Sequence, residues 1–482
     1  MSSNYSSKST NSYSKSAISL EEYKSIAIKN PSISQTATQR IYKMISSHGT
    51  TKLPNGEIEY NFFKGRIFGS ERQIERIMSY FKGASLGLDI KKRVLLLLGP
   101  PGGGKSLFLS YIKKGLADYS RTSEGALYRI KGCPINEEPF HLYEDEDTRK
   151  RMWESHQIKI EGKLCPFCKH KYENEWGGNL INAEIERVYI DEETRTGIGT
   201  FAPSENNNMS ELYGSTNLRK IEDYGNEGDP RSYDFNGELH KANRGIMEFI
   251  EVLKADPSFL HILLTLAEEQ QFKTPRFPLQ YVDEALIAHT NEGEFLRFIQ
   301  NRENEAIIDR LFIIHMPYNL VPSNEELIYH SALKSKLSVQ GISIHPGAIR
   351  FASEFVCYSR KSEIHKSIHK ASNDSLDPTK SFESNEEYFR DGMQGFSPRF
   401  ILNALAISMV DSSEAVVSVD SFYQTMRQLI FDYPVLNNFS RELYLKVLDT
   451  IYSKKKDLFD RMTIEDVDFS KLDTKTKGNF FN

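Results

Sequence analysis

A chain of 482 residues exceeds what one ordinary core accommodates, so two or three domains are expected. Charged residues at 26% and hydrophobic ones at 39% exclude a disordered or fibrous chain, and a net charge of −5 argues against nucleic acid as the main partner. No apolar run approaches the roughly 20 residues a bilayer span needs, and four cysteines make no disulfide framework, so a reducing cytoplasm with no membrane attachment is expected.

Residues 1–18 form a polar tail that lacks the apolar centre of a signal peptide. The spacing of Leu20, Tyr23, Ile26 and Ile28, then of Ile41, Tyr42, Met44 and Ile45, predicts two short helices separated at Pro31-Ser32. Gly49, Pro54 and Gly56 mark a loop, and from Phe62 the pattern turns α/β. Ile74, Ile77, Met78 and Phe81 make one helix face, and Val94–Leu98 is the all-apolar run expected of a strand buried on both sides of a parallel sheet. The polar stretch at about 130–185, which holds Cys133, Cys165 and Cys168, reads as an insertion. Apolar runs return at Ile246–Leu253, Leu260–Leu266, Ala285–Ala288 and Leu311–Ile314. Beyond Pro317 the pattern is helical, broken by a charged stretch at 366–387 that reads as a loop. The expected layout is an N-terminal helical segment over 19–60, an α/β core over 61–320, a helical lid over 321–411 and a C-terminal helical segment over 412–482.

Gly99, Pro100, Pro101, Gly102, Gly103, Gly104, Lys105 and Ser106 fit the phosphate-loop pattern G-x-x-x-x-G-K-[ST], with the buried strand before it and a helix (Leu107, Leu109, Tyr111, Ile112) after it. The glycines let backbone N–H groups curl around phosphate oxygens, and the helix N-terminus adds a favourable dipole. Lys105 is placed to neutralise the β- and γ-phosphates of ATP and Ser106 to ligate Mg²⁺. Phe68, Gly69 and Leu107 are assigned with the loop to the nucleotide pocket.

Hydrolysis also needs a carboxylate and a probe of the γ-phosphate. The run from Phe235 to Lys254 resembles the AAA+ group that includes magnesium-chelatase and enhancer-binding ATPases, where such a stretch leads into the acidic strand. That resemblance gives Glu251 the place of the water-activating glutamate. Ile250 stands where the metal-site aspartate is expected, which leaves Glu248 as the other carboxylate for Mg²⁺; a pair of solvated helix acids is the competing reading of Glu248 and Glu251. Asp283 and Glu284 precede the strand Ala285–Ala288 and are read as structural, and Asn291 at its end matches the polar sensor. The segment Glu305–Leu311 looks like one carrying an arginine finger, with Arg310 reaching the γ-phosphate of a neighbouring subunit. Arg399, following Pro398 at the start of a lid helix, fits the second sensor.

The runs Ser210–Ser215, Ala242–Gly245, Glu248–Lys254, Pro275–Pro278 and Ile287–Glu292, with the Gly-Gly-Gly-Lys-Ser loop, resemble the PrkA family over roughly residues 20–410. The likeness weakens after Val410, and the chain stops earlier than that family's usual C-terminal domain would. The resemblance implies a bacterial, cytoplasmic AAA+ ATPase acting on proteins under starvation or sporulation control, in a homo-oligomeric ring for which a hexamer is the working size. The family is named for serine protein kinase activity, yet the V-A-I-K, H-R-D and D-F-G signatures of eukaryotic-type kinases are missing. An ATP-driven remodeller or protease-associated unfoldase is the alternative. Under it Leu212-Tyr213-Gly214 is either a substrate-gripping pore loop or an ordinary turn.

Cys165-Pro166-Phe167-Cys168 has the form of a metal knuckle, and Cys133 with His141 could complete a structural Zn²⁺ site, His170 being the alternative to His141. Reduced, metal-free cysteines in a polar insertion are the competing reading. Cys357 lies in an apolar-aromatic stretch and is assigned to the core.

Overall fold

The computed structural model describes residues 17–203, 209–274, 277–337, 343–373, 390–411 and 416–469. Almost all of the polar tail, Pro275-Arg276, and most of the charged stretch at 366–387 lie outside them.

At the centre is a five-stranded sheet of β1 (Val94–Leu98), β2 (Ile198–Phe201), β3 (Gly245–Ile250), β4 (Glu284–Thr290) and β5 (Leu311–His315). Its order is β5-β1-β4-β3-β2, parallel throughout. Every residue of β1 is at most 1% exposed, because helices cover both faces of the sheet. Leu95 and Leu97 pack with the helices Ala37–Ser46, Glu71–Ser85 and Lys105–Ser120, while Val94 and Leu96 pack with the helix Pro257–Glu269 on the opposite face. Burying each such side chain contributes roughly 1.5–3 kcal/mol. The face of Ile74, Ile77, Met78 and Phe81 is buried in the helix Glu71–Ser85, as its periodicity predicts. Leu260–Leu266 lies in the helix Pro257–Glu269.

The insertion has its own core, and the N-terminal helix Leu20–Lys29 belongs to it: Leu20, Tyr23 and Ala27 pack with Ile130, Cys133, Phe140, Cys165 and Cys168. A short antiparallel sheet joins Ile18-Ser19, Glu184–Val188 and Leu127–Ile130 in the same unit. Beyond the sheet, the helices Pro322–Leu337, Pro346–Ser359, Pro398–Asp411, Val419–Phe431 and Asn438–Asp460 share a single core. Phe351 meets Phe422 and Phe459 there, so the packing runs on across position 411.

Candidate functional site

The carboxyl ends of β1, β3 and β4 define one edge of the sheet, where ligands of open parallel sheets bind. The phosphate loop leaves β1 at Gly99, whose N–H donates to the Thr290 carbonyl at 3.3 Å on β4. A Cβ on Gly99 would lie 2.2 Å from the Met316 carbonyl oxygen, so no larger residue fits. Gly102 and Gly104 have φ of 78° and 86°, the left-handed region that turns the loop into the helix Lys105–Ser120. Lys105 Nζ donates to the Gly99 and Pro100 carbonyls at 2.6 and 2.8 Å. Burial lowers its pKa to about 8; Arg399 pushes the same way and Glu251 opposes. Both residues therefore lie within electrostatic reach of the loop. The Arg399 side chain also comes within 3.8 Å of where a Cβ on Gly102 would stand. Ser106 is exposed in the first turn of the loop's helix.

Beside the loop is a cavity of about 310 Å³ lined by Phe68, Gly102, Gly104, Leu107, Tyr318 and Glu325, among others. Gly69, at φ 71°, is required there because a Cβ would stand 1.8 Å from Asn319 Oδ1. Tyr318 and Asn319 are site residues the sequence reading missed. The Tyr318 hydroxyl donates to the Pro101 carbonyl, and Asn319 Nδ2 donates to the Phe68 carbonyl at 2.9 Å. A third missed residue is Arg360, fully buried, whose guanidinium lies 4.5 Å from the Tyr318 ring centre. It pairs with Glu325 at 2.8 Å and donates to the Asn319 and Phe396 carbonyls at 2.8 and 3.1 Å. Phe396 begins the turn that leads through Ser397 into the helix of Arg399.

Glu251 follows β3 at φ 50°; its side chain is 46% exposed and pairs with Lys254. Asn291 follows β4, next to β3, and its Oδ1 accepts from Glu294 N–H at 2.9 Å, capping the helix Glu292–Gln300. That leaves the amide NH₂ as the group with which Asn291 would meet a phosphate.

Glu248 departs from expectation. Strand parity puts it inside the sheet facing the loop's helix, where its carboxylate takes Lys113 Nζ at 2.6 Å and His289 Nε2 at 3.1 Å. Burial pushes the carboxyl up, but His289 and Lys113 outweigh it and the pKa falls below the usual range. Both oxygens are committed to this buried cluster, so Glu248 does not present itself as an Mg²⁺ ligand, nor as a solvated helix acid. Asp283 is buried and accepts from Ala37 N–H at 3.0 and 2.8 Å at the opposite edge of the sheet.

Arg310 also lies at that opposite edge. Its carbonyl accepts from Val94 N–H at 2.8 Å, and its guanidinium pairs with Glu268 and Asp309. The whole length of β1, roughly 15 Å, separates it from its own phosphate loop.

Of the two readings of Leu212-Tyr213-Gly214 the packed one fits: it ends the short helix Ser210–Tyr213, Leu212 is fully buried, and the Tyr213 carbonyl accepts from the Tyr233 hydroxyl at 2.6 Å. Leu218 and Tyr224, at the two ends of the helix Leu218–Tyr224 that follows, are exposed. Of the four residues assigned to zinc, Cys133, Cys165 and Cys168 come together, with ligand atoms within 4.8 Å of one another. His141 is not among the ligand atoms that come together; its Nδ1 lies 2.6 Å from Glu137 Oε1. His170 lies instead 4.0 Å from Asp229. Cys357 is buried in the lid core.

A parallel sheet in this order, a glycine loop curling from β1 into a helix, and a helical lid that returns an arginine to the loop define a P-loop ATPase fold of the AAA+ type. Among the described residues, no helix is long and apolar enough to cross a membrane. The family model described as PrkA AAA domain matches residues 18–368, and the chain belongs to the PrkA family.

The ATP-dependent protease PrkA of Bacillus subtilis is 37% identical over 451 residues, covering 91% of this chain and 71% of that one. That alignment runs past Val410, whereas the family model ends at residue 368. The serine/threonine kinase YeaG of Escherichia coli K12 is 30% identical over 401 residues; this chain spans 60% of its length. Among solved structures, a Thermotoga maritima RuvB mutant aligns at 12% identity and a TM-score of 0.37 over 81% of both chains. NtrX of Brucella abortus in complex with ATP aligns at 12% identity and a TM-score of 0.36, over 87% of this chain and 71% of that one. The fold assignment rests on the sheet order and the family model.

Proposed function

We propose that this chain hydrolyses ATP as one subunit of a homo-oligomeric ring acting on protein substrates, each site being completed by the Arg310 of a neighbouring copy. One observation carries this reading: Lys105, Glu251, Asn291 and Arg399 gather at one edge of the sheet while Arg310 sits at the other. Mg²⁺ would be held by Ser106 and the nucleotide phosphates, while Glu248 is engaged by Lys113. Glu251 takes a proton from the attacking water as the water oxygen bonds to the γ-phosphorus. The bond from that phosphorus to the β,γ-bridging oxygen breaks, and Lys105, Arg399 and the neighbour's Arg310 stabilise the charge that develops.

The second reading is serine phosphorylation, with a protein hydroxyl in the water's place; the 46% exposure of the Glu251 side chain favours it by leaving room for a large acceptor. The two relatives' names divide along the same line, one a protease and one a kinase. Incubation with γ-labelled ATP and an unfolded protein separates the readings. Label is expected in free phosphate, and label on serine would move the assignment to the kinase reading. Undiminished turnover in Lys105→Ala would remove both.

A further inference from the structure

Cys133, Cys165 and Cys168 are 1%, 3% and 0% exposed, and none is in a disulfide. Cys133 Sγ and Cys165 Sγ are 3.9 Å apart. A disulfide requires about 2.05 Å. Sulfurs around a tetrahedral zinc with Zn–S bonds of about 2.3 Å stand about 3.8 Å from one another, so the observed separation is that of two ligands on one metal. Backbone N–H groups already point at these sulfurs: Glu137 N donates to Cys133 Sγ at 3.4 Å and Cys168 N to Cys165 Sγ at 3.3 Å. Such donors favour thiolate over thiol.

The surrounding chain shows what a metal would do here. Cys168 is the one buried residue of the helix Pro166–His170. The segments Lys171–Glu175 and Leu180–Asn182 bury no residue at all. Phe167, Tyr172, Trp176 and Leu180 pack on the insertion core only partly buried, so Cys168 is the stretch's one fully buried anchor there. Cys133 follows the strand Leu127–Ile130, so a metal would tie the stretch to the small sheet across a separation of 32 residues.

We propose that Cys133, Cys165 and Cys168 bind one structural Zn²⁺ as thiolates. Glu137 and His141 lie outside the coordination and brace it. Glu137 Oε2 accepts from Cys165 N–H at 2.6 Å, and its Oε1 holds His141 Nδ1 at 2.6 Å. A carboxylate bridging a ligand's backbone and a histidine fixes the knuckle's geometry from outside.

The test is elemental analysis of the full chain purified without added metal, together with cobalt substitution. About one zinc per chain is expected in the wild type and in His141→Ala, and almost none in Cys168→Ser. The cobalt form of the wild type should show an intense thiolate charge-transfer band and tetrahedral d–d bands. Removing zinc from the wild type with a chelator should open the 157–182 stretch to protease while nucleotide binding persists. That readout does not depend on the variant folding. Wild-type protein that is folded but free of metal, with all three thiols titratable, overturns the proposal. Zinc loss in His141→Ala equal to that in Cys168→Ser overturns the three-thiolate ligand set.

Discussion

Lys105 stores its charge against carbonyls rather than against a carboxylate. Its ammonium lies between the Gly99 and Pro100 oxygens, burial and the neighbouring Arg399 draw its pKa down to about 8, and Glu251 opposes them. An anionic phosphate arriving there raises that pKa again, so nucleotide binding takes up a proton wherever the free loop has lost one. Affinity should therefore be complete below pH 8 and fall as the pH rises through about 8, approaching tenfold per pH unit. Titration with a fluorescent ATP analogue from pH 7 to 10 reads this directly, and Lys105→Met should flatten the profile. A wild-type profile that is already flat would detach the loop lysine from phosphate binding.

At the scale of elements, a buried ion pair inside the lid holds the guanidinium that fastens the lid to the strap beside the loop. Arg360 and Glu325 are both fully buried, and Arg360 reaches the strap after β5 and the turn before the Arg399 helix at the same time. Gly392 completes the junction: its N–H donates to the Arg360 carbonyl at 2.9 Å and its own carbonyl accepts from Tyr318 N–H at 2.8 Å. Removing one partner of a buried pair leaves an uncompensated charge. Arg360→Met should therefore destabilise the fold by about 3–5 kcal/mol, and adding Glu325→Gln should recover part of the loss. Denaturant unfolding followed by lid tyrosine fluorescence measures this; a double variant as unstable as the sum of the singles would show the two residues acting independently. The sequence disclosed little of this junction. Tyr318 meets Pro101 across 217 positions, and Asn319 meets Phe68 across 251, so no local pattern records either contact. The loop was legible because its glycines and lysine must be adjacent in sequence. The strands were legible because burial on both faces leaves an unbroken apolar run. Glu248 was misread for a reason that counting could have caught. It alternates with Met247 and Phe249 along β3, which placed it in the sheet's interior opposite Lys113.

For the whole molecule, the position of Arg310 decides whether one chain is a complete enzyme. The carboxyl edge of the sheet carries Lys105, Glu251, Asn291 and Arg399, and the amino edge carries Arg310 beside Val94. If the sites are completed across a subunit boundary, Glu251→Gln and Arg310→Ala should each abolish hydrolysis while leaving ATP binding intact. Mixing them separates the arrangements. In a ring assembled from equal parts of both, a working site needs an Arg310→Ala subunit supplying Glu251 and a Glu251→Gln neighbour supplying Arg310. Random assembly makes about one boundary in four of that kind, so the mixture should recover roughly a quarter of the wild-type rate. If Arg310 served its own loop, no mixed ring would contain a working site and the recovered rate would be nil. The measurement is phosphate release after co-refolding or co-expression of the two variants, with the ring confirmed by native mass spectrometry in the presence of a non-hydrolysable ATP analogue.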